Sequence, residues 1–208
     1  MTVLMKRRKI GAAVIVLGVL VLIASATLYI YTSRDEQRAD DTAREVLNDL
    51  MQVIPHGVSA PSEQFADPAG AYTEKTVVAD GKEYLGYVTF VGYDRTLPVL
   101  AEWDFDALEN TPARYKGSIE TNDIIIAGHN YKSHFNPINR MVPGNEVIFT
   151  DAGGVEIVYL VSEVETLKPT AVTEMESGSW DMTLFTCTNR GQARKALRCT
   201  RLSSDITG

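Results

Sequence analysis

The chain has 208 residues, of which 45% are hydrophobic and 23% charged, and its formal net charge is −7. This size and composition suit one folded domain with an appendage and exclude a disordered polymer. The acidic balance argues against a nucleic-acid-binding protein, which normally carries a basic patch. The three histidines and two cysteines lack the spacing of a disulfide framework or a metal site, so we predict no metal and no other cofactor.

The N-terminus carries the pattern of a membrane anchor. Four basic residues at 6–9 precede Ile10 to Tyr31, a run without any charged residue that would form a helix about 33 Å long. A hydrocarbon core is roughly 30 Å thick, so residues 10–31 are predicted to cross a membrane. The positive-inside rule then puts residues 1–9 in the cytoplasm and the rest of the chain outside the cell. The alternative is a cleaved signal peptide, since Ala24-Ser25-Ala26 is typical of a cleavage site.

Residues 32–71 are predicted to form a helical stalk and a linker. Apolar residues recur at three- and four-residue steps between Asp35 and Ile54, as in an amphipathic helix, and Pro55-His56-Gly57 ends the pattern. This helix is either a free stalk or a helix packed on the domain. Two prolines, a glycine and small residues then make 59–71 a linker.

The remaining residues, 72–208, are predicted to be mostly β. Many short strands with little helix indicate a closed barrel with short helices. One or two helical turns are expected within 103–115, and a hairpin turn within 151–154. The predicted strands are at 84–91, 97–100, 124–127, 146–150, 157–161 and 183–186, followed by a strand that Arg194 begins.

Two of these strands end on residues that can carry chemistry. The strand at 183–186 leads to Cys187, which is either a nucleophile or a buried structural thiol. The apolar strand at 124–127 leads through Gly128 to His129. If both strand ends lie on one rim, they form a thiol–imidazole pair that can activate the cysteine. His134 is the rival histidine and is expected in a surface or substrate-adjacent loop.

These residues resemble the motifs of sortases, the membrane-anchored cysteine transpeptidases of Gram-positive cell surfaces. Thr183-Leu184-Phe185-Thr186-Cys187 is similar to their T-L-x-T-C motif, and Ala127-Gly128-His129-Asn130 resembles the segment that holds their histidine. The resemblance covers roughly residues 84–202. The Gly-His-Asn form is closer to the class B type than to the class A type. The stretch before Cys187 is short for the helix that class B members insert, so the class stays open.

The resemblance implies an eight-stranded sortase-type β-barrel and the roles of its site residues. Cys187 would attack the threonine carbonyl of an LPxTG-like sorting signal, and His129 would transfer protons to and from the amines. Arg194 best matches the family arginine, which would stabilise the oxyanion or hold the peptide. Arg198 and Arg190 are the competitors, and Arg198 is expected to face solvent or a carboxylate. The partners implied are secreted surface proteins and an acceptor amine, from peptidoglycan or a pilin lysine.

Three further interpretations concern the same residues. Cys199 is expected to be a free, packed thiol rather than a disulfide partner of Cys187. Thr186 is expected to support the thiol's surroundings by hydrogen bonding or to pack in the strand. The acidic residues are expected to form a solvated surface, not a calcium loop: Asp94, Asp104, Asp106 and Glu120.

Two other functions fit the same composition. One is another extracellular cysteine enzyme, such as a cell-wall peptidase or an L,D-transpeptidase. Cell-wall peptidases of the common type place cysteine before histidine, the reverse of the order here, and L,D-transpeptidases carry a His-Gly-Cys-like motif. The second is a catalytically silent surface module on the same scaffold.

Overall fold

The computed structural model describes residues 2–55, 58–59, 72–188 and 191–202. The described helices are α1 (Thr2–Val53), α2 (Phe105–Leu108) and α3 (Val172–Glu176), with a short 3-10 helix at Asn136–Asn139. The described strands are β1 (Val58–Ser59), β2 (Val77–Ala79), β3 (Lys82–Phe90), β4 (Arg95–Leu100), β5 (Ala113–Lys116), β6 (Ile124–Gly128), β7 (Glu146–Asp151), β8 (Val155–Leu167), β9 (Met182–Thr188) and β10 (Ala193–Arg201).

Eight of these strands close into a barrel, which confirms the predicted fold class. The ladder runs β8-β10-β9-β6-β5-β4-β3, and β7 pairs with both β3 and β8 and so closes the ring. The short strands β1 and β2 extend the sheet at β8 and β3. Closure leaves the eight strands of the ring without a free edge, which an open sheet would expose to pairing with other chains.

The barrel interior holds the main hydrophobic core. Each strand alternates its side chains between the two faces of the sheet, and the inward set is apolar and buried. This core is made of aliphatic and aromatic residues from every strand of the ring except β5, among them Val88, Val99, Ile126, Phe149, Tyr159, Leu184 and Leu197. Burial of this apolar surface is the main contribution to the stability of the fold.

The chain divides into two compact units, one ending at Arg38 and the other starting at Ala39. Helix α1 contributes residues to both of them. In the first unit, the large apolar side chains from Val14 to Tyr31 are exposed. The helix contains an 18-residue window with mean hydropathy 2.5, long and apolar enough for a membrane. This finding agrees with the predicted anchor and equally with a signal sequence.

In the second unit, the end of α1 packs on the barrel. Its buried residues recur at helical spacing: Ala39, Ala43, Val46 and Leu50, with Ile54 just after it. They join clusters with barrel residues such as Tyr84 and Leu100. Of the two alternatives for the helix at 35–54, the packed helix is therefore the one seen from Ala39 onward. The predicted linker at 59–71 lies almost wholly outside the described residues.

Two local predictions, the hairpin turn at 151–154 and the helical turns within 103–115, can be compared with the structure. The hairpin turn at 151–154 is confirmed, because it joins β7 to β8. The Asp151 carboxylate accepts hydrogen bonds from the Gly153 and Val155 amides at 2.8 Å each. One helical turn, α2, lies within 103–115, where one or two turns were expected. Residues 113–116 instead form β5, because Ala113 and Arg114 pair with β6, and this tertiary pairing overrides the local pattern.

Candidate active site

The candidate residues lie at the ends of two neighbouring parallel strands. Strands β6 and β9 run parallel, and the last pair of their ladder joins Gly128 to Thr186. His129 and Cys187 are the next residues on the two strands. Because paired strands lie about 4.8 Å apart, the imidazole and the thiol start from adjacent backbone positions. The strand predicted at 183–186 ended two residues early, since β9 continues through Cys187 to Thr188.

The third candidate, Arg194, lies directly across from the thiol. Strand β10 is antiparallel to β9, and its register pairs Arg194 with Cys187. His129, Cys187 and Arg194 therefore form one row across three adjacent strands, the cross-strand row. Side chains of such a row stand on the same face of the sheet. The structure thus brings together three residues that are 65 positions apart at most in the sequence.

The next rows of the same face make an apolar floor. Ala127, Phe185 and Ala196 follow the cross-strand row, and they belong to a cluster separate from the barrel core. We call this surface, together with the cross-strand row, the outer face. Both Met175 of α3 and Tyr115 of β5 pack against its apolar residues. The outer face is therefore a floor with a helix at one end.

Aromatic side chains border the outer face on the side of β5. Phe185 contacts Tyr115 edge to face at a centroid distance of 5.5 Å, and Tyr115 contacts Trp103 in the same way at 5.5 Å. Trp103 in turn contacts Phe105, which is 75% exposed. Edge-to-face contacts fix rings relative to one another. The series runs from the floor to the protein surface and presents apolar area to solvent.

His129 is half-buried and is held by its neighbours. Its imidazole stacks on the ring of Tyr131, with centroids 5.0 Å apart and planes 18° from parallel. Its backbone carbonyl accepts a hydrogen bond from the Phe135 amide at 3.0 Å, which closes the loop. Burial lowers the pKa of His129, and the carboxylate of Glu109 acts in the opposite direction. Tyr131 directly follows the Ala127-Gly128-His129-Asn130 segment, and its stacking role was not predicted, because it depends on the loop conformation.

The backbone beneath the site is tied together by Thr186 and Gly128. The Thr186 hydroxyl donates a buried hydrogen bond of 2.7 Å to the Gly128 carbonyl. A Cβ on Gly128 would lie 2.7 Å from the ring of Phe135, so this position has no room for a side chain. Hydrogen bonding by Thr186, the first of its two expected roles, is thus observed. Both features fix the strand ends that carry His129 and Cys187.

Arg194 is partly exposed and contacts the turn before it. Its Nη1 atom donates hydrogen bonds to the carbonyls of Gly191 and Ala193 at 3.3 and 3.4 Å. These bonds are long, so the guanidinium remains available for stronger partners. The competitor Arg190 lies outside the described residues. The other competitor, Arg198, is buried and does not face solvent, but it does meet a carboxylate, that of Glu165.

Cys199 is a free buried thiol, as predicted. Its side chain belongs to the barrel core, and burial raises its pKa to about 12. Arg194, not Cys199, is opposite Cys187, and five residues of extended strand separate the two β10 positions by about 17 Å. Disulfide geometry requires Cα atoms within about 7 Å. A bond between the two cysteines is therefore excluded in this fold.

Of the two positions expected for the His134 loop, surface or substrate-adjacent, the surface one was wrong, because the side chain is fully buried. It belongs to the loop after His129, and its amide bonds to the Tyr131 carbonyl at 3.0 Å. Neither ring nitrogen makes a hydrogen bond of normal geometry, although the Ala39 carbonyl lies near enough to favour the charged form. A polar loop sequence gave no sign of burial, because the end of α1 covers this loop only in the folded domain.

The burial of His134 predicts a pH dependence of stability. Loss of hydration lowers its pKa to about 4, against about 6.5 in an unfolded chain. The unfolded chain therefore binds the extra proton between these values, so the free energy of unfolding falls as the pH drops from 6.5 towards 4. For this one group, the free energy of unfolding can fall by at most about 1.4 kcal/mol per pH unit. Denaturant unfolding of wild type and His134→Phe at pH 7, 5.5 and 4.5 checks this.

The variant is expected to lose less stability on acidification than the wild type. Carboxylates titrate in both proteins, so the difference between the two profiles isolates the histidine. Parallel profiles would contradict the assignment. Asp40 and Arg95, which form a 3.3 Å ion pair, and His129 are the charged or titratable groups that also act on His134.

Comparisons with known proteins give a consistent result for this arrangement. The family model of the sortase domain matches residues 91–201, just over half of the chain. That range contains all three members of the cross-strand row. The comparison with curated proteins found no match.

Several solved structures share the fold. Sortase C1 from Streptococcus agalactiae is 18% identical with a TM-score of 0.53, covering 78% of this chain and 90% of its own. A Clostridium perfringens Sortase D5 transpeptidase is 18% identical with a TM-score of 0.51, covering 81% and 99%. A lid mutant of sortase A from Corynebacterium diphtheriae is 18% identical with a TM-score of 0.51, covering 82% and 97%. The resemblance to class B stays a prediction at these identities.

Proposed function

The chain belongs to the sortase family of cysteine transpeptidases, and on that premise we propose that it cleaves an LPxTG-like sorting signal and transfers the new carboxyl end to an amine. The reaction passes through a thioester on Cys187. The observation that supports this proposal is the cross-strand row, in which a thiol lies between an imidazole and a guanidinium. Acyl transfer to an amine requires a nucleophile, a proton donor and stabilisation of an oxyanion.

Each member of the row has one role in the proposed mechanism. The Cys187 sulfur attacks the threonine carbonyl, and the C–N bond of the scissile peptide breaks. His129 gives its proton to the departing amine and later removes a proton from the incoming amine, which attacks the thioester. Arg194 donates hydrogen bonds to the oxyanion or to the peptide backbone. Cys187 is released as the new amide forms.

The N-terminal helix supports a membrane-anchored enzyme. We infer a cytoplasmic tail at 1–9, a membrane span at 10–31, a connecting segment at 32–71 and a catalytic domain at 72–208 outside the cell. The basic residues before the span favour this orientation. The outer portion carries 16 basic and 27 acidic groups after the four basic residues of the tail are set aside, so it is acidic. Such a domain is repelled by anionic lipid and faces solvent.

The partners follow from the proposed reaction. The donor is a secreted surface protein with an LPxTG-like signal near its end. The acceptor is an amine, supplied either by a peptidoglycan precursor or by a pilin lysine. The aromatic border of the outer face, with Phe105 exposed at its end, offers apolar contact to a donor peptide.

Mass spectrometry of the intact protein tests the proposal. The protein is mixed with a panel of LPxTG-like peptides, and a mass increase equal to the acyl fragment is expected with at least one of them. Addition of a diglycine or lysine amine should then remove the adduct and yield the joined product. No adduct with any peptide, in a preparation whose Cys187 still reacts with iodoacetamide, would contradict the function.

Arg194→Ala is expected to lower kcat/KM for the donor peptide by about 10²- to 10³-fold, because one oxyanion donor is lost. The side chain is partly exposed and makes only long hydrogen bonds, so the Tm should stay within a few degrees of the wild type. Arg194→Lys is the matched variant and should recover only part of the rate, since lysine lacks the planar fork. Wild-type kinetics in Arg194→Ala would remove this residue from the mechanism.

A further inference from the structure

Arg198 is a fully buried cation on the outer face. It is 1% exposed, and it lies opposite Thr183, four residues further along β10 than Arg194. Even spacing along a strand keeps Arg198 on the face that carries the cross-strand row. No step of the proposed mechanism uses this side chain. A buried charge is costly unless it is paired and hydrogen-bonded, so its contacts indicate what it does.

The guanidinium donates hydrogen bonds to groups on three different elements. Its Nε atom pairs with the Glu165 carboxylate of β8 at 2.6 Å. Its Nη1 atom donates to the Met175 carbonyl at 2.8 Å and to the Thr183 hydroxyl at 3.1 Å. Its Nη2 atom donates to the Glu174 carbonyl at 2.7 Å. Two of the four bonds therefore end on the backbone of α3.

These two hydrogen bonds stabilise the C-terminus of α3, a helix too short to form more than a few hydrogen bonds of its own. Helix α3 has five residues, and the last carbonyls of a helix have no partner within it. The Glu174 carbonyl also accepts hydrogen bonds from Ser177, from its hydroxyl at 3.0 Å and from its amide at 3.4 Å. A cation at a helix C-terminus also interacts favourably with the helix dipole. Arg198 thus adds two hydrogen bonds and a positive charge to this helix end, and its bond to the Met175 carbonyl joins it to the residue that packs on the outer face.

The held helix covers one end of the outer face. The Met175 side chain is buried and belongs to the cluster of Ile125, Ala127, Phe185 and Ala196. A small cavity of about 90 Å³ lies beside it, lined by Lys116, Ile125, Met175, Glu176, Trp180 and Thr183. The exposed ion pair of Lys116 with Glu176 closes the same end of α3 against β5. Helix α3 therefore forms the wall at this end of the outer face, and the buried Arg198 attaches the helix to the strands.

We propose that Arg198 is a positioning residue that fixes α3 as the end wall of the path by which a donor peptide reaches Cys187. This inference rests on the proposed function. Four residues of extended strand separate Thr183 from Cys187, a distance of about 13 Å. The floor residues between these two positions, Ala127, Phe185 and Ala196, are at most 9% exposed and pack with Met175, so a donor peptide that binds at Cys187 meets the edge of the cover that α3 provides. Arg198 acts on binding of the donor and not on the chemistry of the thiol.

Arg198→Lys tests the inference, because it keeps the charge and loses the fork that bridges α3, β8 and β9. Hydrogen exchange of the amides at 172–177 is expected to accelerate at least ten-fold, with β9 and β10 unchanged. The KM for the donor peptide should rise about ten-fold, with kcat within three-fold of the wild type. The rate of Cys187 alkylation by iodoacetamide should not change. A merely structural role would lower the Tm without this split between KM and kcat.

Two further variants complete the experiment. Glu165→Gln removes the charge partner and keeps the shape, so it should shift KM in the same direction and serves if Arg198→Lys does not fold. Thr183→Val removes one bond that does not reach α3, and its KM should stay within two-fold of the wild type. An unchanged KM in both Arg198→Lys and Glu165→Gln, or a fall in kcat alone, overturns the inference. If the wild type turns over no donor at all, the proposed function fails as well.

Discussion

Cys187→Ala is expected to abolish both cleavage of an LPxTG-like peptide and transfer to an amine. Alanine has no atom that can attack the carbonyl, and an oxygen or water nucleophile is not aligned by the cross-strand row. The acyl-enzyme adduct should be absent from the mass spectrum, and product formation should fall to the uncatalysed level. Steady-state assay of transfer and intact-protein mass spectrometry provide the two measurements.

Cys199→Ala is the matched control for this prediction. Cys199 is the other cysteine, and it is buried in the barrel core with its pKa raised by burial. Its loss leaves a small cavity and should cost about 1 kcal/mol of stability, with the rate of transfer kept. Retained transfer in Cys187→Ala, or loss of the adduct in Cys199→Ala at full folding, would contradict the assignment of the nucleophile.

His129→Ala is expected to lower the rate of acyl-enzyme formation by about 10²- to 10⁴-fold. The departing amine is a poor leaving group unless it is protonated, and the imidazole is the acid at the adjacent strand end. Single-turnover acylation measures this step without the later transfer. Added imidazole should restore part of the rate, because a small acid can enter the space left by the side chain.

His134→Phe is the matched control in the same loop. His134 is fully buried and its ring is 5.6 Å from that of Tyr131, so a phenyl ring can take its place. Its acylation rate at pH 7 should stay within about three-fold of the wild type. A near-normal rate in His129→Ala, together with a large loss in His134→Phe, would exchange the roles of the two histidines.

The sequence predicted the main elements well because their signals are local. The strands around 84–91, 146–150 and 183–186 are rich in β-branched and aromatic residues, and each is found with boundaries shifted by one or two residues. The turn at 151–154 follows from Asp and Gly chemistry. Strand β8 is longer than predicted, since it runs to Leu167 through alternating charged residues that pair with β10.

Other features could not be predicted because their cause is not local. The strand β5 exists through its pairing with β6. His134 is buried because the end of α1 covers its loop, and Arg198 is buried because α3, β8 and β9 all meet its guanidinium. The segment that forms β5 was expected to be helical, His134 was expected in a surface or substrate-adjacent loop, and Arg198 was expected to face solvent or a carboxylate. In each case, an element distant in the chain decided the outcome.

By itself, the sequence determined the class of protein, the barrel and the chemical groups at the site. Alternation of apolar residues sets which strands can form, and a thiol or an imidazole at a strand end can be recognised from its neighbours. Only the tertiary structure decided the register, in which Gly128 pairs with Thr186 and Cys187 with Arg194. Register depends on how two strands fit against one core, and a slip of one residue would turn His129 or Arg194 to the opposite face.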